Sequence, residues 1–486
     1  MGALLLYNQR KTYYPGSYSD IPSGYVGLVG RVTYDYKKRY LAEFNAGYNG
    51  SENFHPSRRY GFFPAGSIGW VVSDEPFFRP LKSVLSFFKL RASWGLVGND
   101  RIGGSRFMYL ADPYSVNASG ASFGIENSSW YTGAAESGHN NPNVTWEKAF
   151  KQDYAVDMNF LDNRLSTSFD YYIEHRWDIL LQDQTAPKVI GFNVPYANLG
   201  KVDSWGWEVQ LKWNDRIGSD FRYNLNLNLS HNQNKIIERK EAPYNNDYQY
   251  EKGHRIGSRS QYQFFRIYDS DTPRLYQETF GKPFPTQLVE LKDGDAVFVD
   301  LDGNGYIDAN DKTRELGFTD DPMYVLGFNG GFTWKRWSFN MQWTGAFGVT
   351  RMIGEAFRIP FVSRTDYNTG GLLQYHVNNT WDPKNPSQDA KYPRATWTNG
   401  TVNNYQDCSL YEQNANYVRL KTVMVGYNFQ APFLSKLGVK NTQVALSAYN
   451  LFTITPYIWG DPESRASTDP TYPLTRTVTL SLRLNF

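Results

Sequence analysis

Alternation of apolar and polar residues with period two constrains this chain more than any other feature. At the end of the chain Val478, Leu480, Leu482, Leu484 and Phe486 alternate with Thr477, Thr479, Ser481, Arg483 and Asn485. Successive side chains of a β-strand point to opposite faces, so this pattern makes one face apolar and the other polar. Phe221, Tyr223, Leu225, Leu227 and Leu229 repeat it against Arg222, Asn224, Asn226, Asn228 and Ser230. Upstream, Trp205, Trp207, Val209, Leu211 and Trp213 oppose Gly206, Glu208, Gln210, Lys212 and Asn214. A short polar turn around Arg216 to Asp220 joins these two runs into a hairpin. Tyr154, Val156, Met158 and Phe160 turn at Asp162-Asn163 into Leu165, Thr167, Phe169, Tyr171 and Ile173, and Tyr40, Ala42, Phe44, Ala46 and Tyr48 form another stripe. Roughly fifteen such segments are legible, with no convincing helix beyond short loop pieces. The fold class is all-β and antiparallel.

Soluble sandwiches alternate too, but their strands typically run five or six residues and their apolar faces favour close-packed Val, Ile and Leu. Here the strands are longer, and Trp, Tyr and Phe sit at the ends of the apolar faces, as expected at a lipid–water boundary. The composition agrees: 36 Tyr, 31 Phe and 14 Trp occur in 486 residues, yet only 41% of the chain is apolar and its mean hydropathy is −0.57. No run of about 20 apolar residues is present, which excludes a helical membrane protein. Short connections alternate with long ones near residues 99–147, 235–322 and 350–415, rich in Gly, Asn, Asp, Pro and Ser. This is the pattern of a transmembrane β-barrel with long extracellular loops. A barrel in lipid must close, because an open edge leaves backbone groups unsatisfied at several kcal/mol each. The roughly fifteen strands therefore read as part of a larger barrel.

Several function classes have no support. With 50 Lys and Arg against 48 Asp and Glu, the chain has no basic excess to attract nucleic acid. The single Cys408 forms no intrachain disulfide and no cysteine-based zinc site. His55, His139, His175, His231, His254 and His376 are scattered without metal spacing. Carboxylate pairs such as Asp74-Glu75 and Asp320-Asp321 fit a glycosidase only loosely, since Asp is abundant in loops. No glycine-rich phosphate loop opens a helix, so neither an enzyme nor an organic cofactor is expected. Residues Met1 to Tyr7 lack the basic and apolar regions of a signal peptide, so export would need an upstream segment.

One metal motif stands out. Residues 300–311 read Asp-Leu-Asp-Gly-Asn-Gly-Tyr-Ile-Asp-Ala-Asn-Asp. Asp300, Asp302 and Asn304 occupy positions one, three and five of a calcium loop, Gly305 the sharp turn, Tyr306 the carbonyl position, Asp308 position nine and Asp311 position twelve. Asp311 is shorter than the usual Glu, which makes bidentate coordination harder. A structural calcium that orders a long loop is expected; the alternative is a run of Asx turns that binds nothing. Loop aromatics Trp130, Tyr131, Trp381, Trp397, Tyr405 and Tyr411 are candidates to stack on sugar or grip peptide, or else pack the loops together.

A series of motifs carries a family resemblance. In order they are Tyr60-Gly61-Phe62-Phe63-Pro64, Gly69-Trp70, Ser73-Asp74-Glu75, Leu90-Arg91-Ala92-Ser93-Trp94-Gly95 and Gly98-Asn99-Asp100. Asn141-Pro142-Asn143, Thr145-Trp146-Glu147-Lys148, Asp162-Asn163-Arg164-Leu165, Asp170-Tyr171-Tyr172, Asn198-Leu199-Gly200 and Gly206-Trp207-Glu208 follow. Tyr417-Val418-Arg419-Leu420-Lys421, Tyr449-Asn450-Leu451-Phe452, Asp461-Pro462-Glu463 and Tyr472-Pro473 complete the series. Together they resemble the C-terminal half of the SusC/RagA family of TonB-dependent outer-membrane transporters, almost from end to end. The resemblance implies a barrel of roughly 22 strands in the bacterial outer membrane. It also implies a plug domain, coupling to the TonB complex, a SusD-like surface lipoprotein as lid, and import of oligosaccharide or peptide. Phe486 is similar to the family's terminal aromatic signal for barrel assembly. The plug, the TonB box and the first strands have no counterpart here, so another chain or a missing segment is expected to supply them. The alternative function is a passive porin or surface ligand-binding protein without energy coupling. A soluble β-rich carbohydrate enzyme is the third reading.

Overall fold

The computed structural model describes residues 1–13, 22–100, 107–110, 114–136, 140–190, 194–360, 372–396, 403–430, 432–436, 438–464 and 472–486. Fourteen strands form one antiparallel sheet whose order follows the chain. They are β1 Gly2–Thr12, β2 Ser23–Tyr36, β3 Tyr40–Ser51, β4 Tyr60–Val71, β5 Leu85–Asn99, β6 Glu147–Phe160, β7 Leu165–Gln182, β8 Tyr196–Ile217, β9 Phe221–Glu238, β10 Tyr324–Trp334, β11 Trp337–Phe347, β12 Tyr417–Phe429, β13 Asn441–Ile454 and β14 Thr477–Asn485. The expected antiparallel class and long strands are therefore present. Among the described residues no helix is long and apolar enough to cross a membrane. The chain divides into two compact units, Met1–Gln210 with Asn232–Pro243, and Leu211–His231 with Tyr244–Phe486.

In the first unit the alternation has an inverted meaning. On β3, Tyr40, Phe44 and Tyr48 are 46, 54 and 48% exposed, whereas Glu43 and Asn45 between them are partly buried. Register carries the apolar stripe across strands: Phe44 lies opposite Val32 of β2 and Gly66 of β4, and Tyr48 opposite Leu28 and Phe62. The polar face is cross-linked instead. Arg31 donates to Asn45 at 2.9 Å and pairs with Glu43 at 3.2 Å. Arg91 of β5 meets Asp157 of β6 at 3.0 Å and Asp170 of β7 at 2.6 Å. Beyond the long-loop ends of the strands, Phe54, Met108, Val144, Trp146 and Leu180 form a small core. Trp146 donates its indole N–H to the Arg59 carbonyl at 3.1 Å. Gly61 and Gly98 lie under the rings of Phe63 and Trp146, where a Cβ would have no room.

In the second unit, β10 and β11 form a tight hairpin through Lys335-Arg336, with Trp334 opposite Trp337 and Phe332 opposite Phe339. The Phe332 and Phe339 rings stack at 5.3 Å. The two long connections, after β9 and after β11, fold together rather than standing as separate loops. Their shared core comprises Tyr262, Ala296, Phe298, Ile307, Ile353, Tyr392, Tyr405, Cys408 and Tyr411. Short strand pairs support it, Gln261–Tyr262 with Lys312–Thr313, Phe264–Ile267 with Ala296–Phe298, and Thr350–Met352 with Glu412–Asn414. Arg259 ties both connections together, donating to the Phe318 carbonyl, Asp320, Thr350 and Glu412. Removing one partner of such a buried ion pair typically destabilises by about 3–5 kcal/mol.

The inverted face predicts an asymmetric mutational response. Phe44→Arg, at the middle of β3, should destabilise the full chain in lipid vesicles by about 2–4 kcal/mol. Glu43→Gln, on the opposite face, should fall well below that in the same urea titration. Equal losses at both positions would contradict the assignment of faces.

Candidate functional site

The acidic loop is built by its own backbone. Asp300 accepts N–H bonds from Gly303 at 2.6 Å and Gly305 at 2.9 Å. Asp302 accepts from Asn304 at 3.0 Å, and Asn304 from Tyr306 at 2.7 Å. Gly303 and Gly305 have φ of 76° and 88°, the left-handed region where a side chain would be strained, and this lets the loop reverse tightly. Ile307 then anchors the loop in the core, 5% exposed, with its N–H bonded to the Thr286 carbonyl at 2.8 Å. Asp311 closes the ring by accepting from Leu301 and Asp308, both at 2.8 Å.

Asp300, Asp302 and Asp311 converge, each offering a carboxylate oxygen within 4.8 Å of the others. Oxygens on opposite sides of a calcium ion lie about 5 Å apart, so the spacing suits that ion. Asp300 and Asp311 are buried. Among the described residues no Lys or Arg forms an ion pair with any of the loop carboxylates. Burial raises the Asp311 carboxyl above its ordinary range, opposed by the N–H groups of Asp308 and Leu301 and reinforced by Asp302. Burial and the same carboxylates push the nearby Tyr248 hydroxyl up to about 12. A cation of hard, oxygen-seeking character would relieve this concentration of charge. Asp308 stands outside the converging group: its carboxylate caps the turn at Ala309–Asp311 by accepting from Asn310 at 2.6 Å. The Asn304 and Tyr306 side chains are exposed.

The six loop aromatics separate into distinct environments. Trp130 and Tyr131 lie on the strand Ser129–Glu136, hairpinned with Tyr114–Phe123, and are 65 and 62% exposed. The Trp130 ring lies over Gly120 and the Tyr131 ring meets Phe123 edge-on at 5.8 Å, leaving the outer side of each ring open to solvent. Trp381 is partly buried, its ring lying over Gly294 and its backbone N–H bonded to the Tyr392 carbonyl at 2.9 Å. Tyr405 and Tyr411, expected among the substrate contacts, are instead core residues, 2 and 0% exposed. The Tyr411 hydroxyl donates to the Asn404 carbonyl. Their rings are consumed by packing, which corrects the expectation for these two. Trp397 lies outside the described residues. Cys408, in the same core, has its thiol pushed up to about 12 by burial, so it acts as an apolar filler. Sequence reading passed over Trp459, whose ring lies 5.0 Å from Phe357 and 4.9 Å from Tyr375; these residues are too far apart in the chain to form a recognisable pattern. Phe486 is 74% exposed just beyond β14.

Comparison with known proteins places this architecture. Residues 5–276 match the model of the family described as TonB dependent receptor-like, beta-barrel. The chain belongs to that family. As a TonB-dependent receptor-like barrel it is an outer-membrane protein, of a family of receptors rather than enzymes. It is 28% identical to TonB-dependent receptor P3 of Formosa agariphila over 503 residues, covering 98% of this chain and 47% of that protein. It is also 28% identical to TonB-dependent receptor SusC of Bacteroides thetaiotaomicron over 472 residues, covering 95% and 44%. The RagAB peptide importer in its closed-closed state has the same fold, with a TM-score of 0.74 at 21% identity, over 96% of this chain and 48% of that one. The chain thus spans a little under half the length of these relatives. The likeness to SusC and RagA expected from the motifs is therefore present across nearly the whole chain.

Proposed function

We propose that the chain forms barrel wall and outer loops of an energy-coupled importer that brings oligosaccharide or peptide across the outer membrane. The observation that carries this reading is the inverted strand: an apolar face turned outward beside a hydrogen-bonded polar face, in a member of the TonB-dependent receptor family. A polar inner wall suits hydrated cargo, and no bond of the cargo is made or broken. The remaining strands and a plug, from a further segment or chain, would close the barrel and meet the TonB complex. A SusD-like surface lipoprotein would act as lid. The likeness to SusC and the fold shared with a peptide importer support this partner and these cargo classes. Trp130 and Tyr131 are the loop aromatics whose exposed sides would meet cargo. Phe486 would serve barrel assembly. The acidic loop would hold a structural calcium through Asp300, Asp302 and Asp311, with Asn304 and the Tyr306 carbonyl completing its shell, while Asp308 keeps its backbone-capping place.

Uptake of fluorescent oligosaccharide and peptide libraries by the native host separates import from passive passage. Uptake that requires the chain and stops when TonB is deleted is the expected result. Uptake that persists without TonB would indicate a porin, and surface binding without uptake would indicate a ligand-binding protein.

Calorimetry of the full chain should show calcium binding that is lost in Asp300→Ala/Asp302→Ala. Protons compete for the same carboxylates, and burial has raised Asp311, so affinity should decline as pH falls, beginning above the ordinary carboxylate range. Unaltered heat in the double variant would remove the calcium assignment.

A further inference from the structure

We propose that the short-turn rim of the first unit binds anionic phospholipid headgroups. The inference rests on the lipid-facing reading of the strands and goes beyond it by naming a lipid class and the side chains that select it. Outer-membrane barrels place their tight turns on the periplasmic side; the turns at 37–39 and 161–164 mark that rim here, and the longer connection at 72–84 lies on the same rim.

Backbone bonds fasten these three connections into one surface. The Val71 N–H donates to the Arg39 carbonyl at 2.7 Å, Val84 to Leu81 at 3.1 Å, and Leu161 to Val84 at 3.0 Å. Glu75, only 8% exposed, accepts from the Tyr40 hydroxyl at 2.7 Å, the Trp70 indole at 3.3 Å and Arg39 at 3.3 Å. That carboxylate holds an aromatic row: Tyr40 stacks on Trp70 at 6.3 Å, and Phe77 meets Trp70 edge-on at 6.5 Å. Phe78 is buried against Phe88 at 6.0 Å, so its neighbours are turned outward. Phe77, Leu81, Val84 and Leu161 are 65, 57, 59 and 46% exposed.

Four apolar side chains held outward on a rim of polar turns fit acyl chains rather than water. Beside them stand exposed Lys37, Lys38, Arg79 and Lys82. Of the carboxylates on this rim, Glu75 is engaged by Arg39, Asp74 by Lys82 at 3.3 Å, Asp35 accepts the Lys38 backbone N–H at 2.7 Å, and Asp162 stands exposed on the third connection, so cations outnumber the carboxylates left open to solvent. Among the described residues Arg79, between Phe77 and Leu81, has no carboxylate in ion-pair reach. Exposed apolar residues side by side with exposed cations match a lipid, which offers acyl chains to the first and a phosphate charge to the second. A free phosphate ion would leave the apolar half of this surface unused.

The test uses the receptor containing the full chain, extracted from its host and reconstituted in nanodiscs of phosphatidylcholine and phosphatidylglycerol at three to one. Mass spectrometry then reads the ratio of the two lipids retained through detergent extraction. Enrichment of phosphatidylglycerol is expected in the wild type. Each lost cation near the surface should lower it by about fivefold, so Arg79→Glu and, independently, Lys37→Glu/Lys38→Glu should both abolish it. Lys384→Glu, on a long connection of the second unit, should retain it. No enrichment in the wild type, or equal enrichment in all variants, would overturn the proposal while leaving membrane insertion intact. Failure of the wild type to enter the nanodisc would overturn this proposal together with the lipid-facing reading beneath it.

Discussion

The outward apolar face of the strands sets the terms for everything else in this protein. Lipid offers no hydrogen bonds, so each backbone N–H and C=O at membrane depth needs a partner within the sheet. An antiparallel ladder supplies those partners, and its pleat sorts side chains onto two faces without further information. Phe44 and Tyr48 can then remain half-exposed while Glu43 and Asn45 are partly buried, a distribution that would cost a soluble protein its core. Polar side chains on the other face are near enough across strands to bond one another, as Arg91 does with Asp157 and Asp170.

Much of this was legible in the sequence because period two is a local property. Strand positions, the tight hairpins at Asp162-Asn163 and around Arg216 to Asp220, and the long connections need only neighbours in the chain to be read. The family motifs were legible as words, but their physical meaning was not. In the structure they are halves of contacts, some local and most between distant segments. Trp70 donates to Glu75, Arg91 meets Asp170, and Asn198 exchanges bonds with the Thr145 backbone at 3.0 and 2.9 Å. Arg419, 2% exposed, is held by Asp461 at 2.6 Å and Glu463 at 3.0 Å. These motifs fasten the wall and its loops; they are not a row of ligand contacts.

The loops were less legible for the same reason. An aromatic in a glycine- and asparagine-rich stretch has the same local signature whether it faces solvent or a core. Tyr411 and Trp130 are alike in sequence context, yet one is buried with its hydroxyl bonded to Asn404 and the other stands open on a hairpin. What separates them is the collapse of two connections onto each other around Phe298 and Tyr262, directed by Arg259. The acidic loop was easier, because a metal loop folds around its own backbone and its spacing survives in the sequence. Even there, Asp308 serves the backbone cap rather than the converging carboxylates.

The outward face can be measured directly by spin labels placed one at a time at positions 42 to 47 of β3, with Cys408 replaced by Ser and the receptor in a bilayer. Labels at 42, 44 and 46 should relax with oxygen dissolved in the acyl region. Labels at 43, 45 and 47 should respond instead to a water-soluble nickel complex. An accessibility profile with no period of two, or with the two sets reversed, would contradict a lipid-facing stripe.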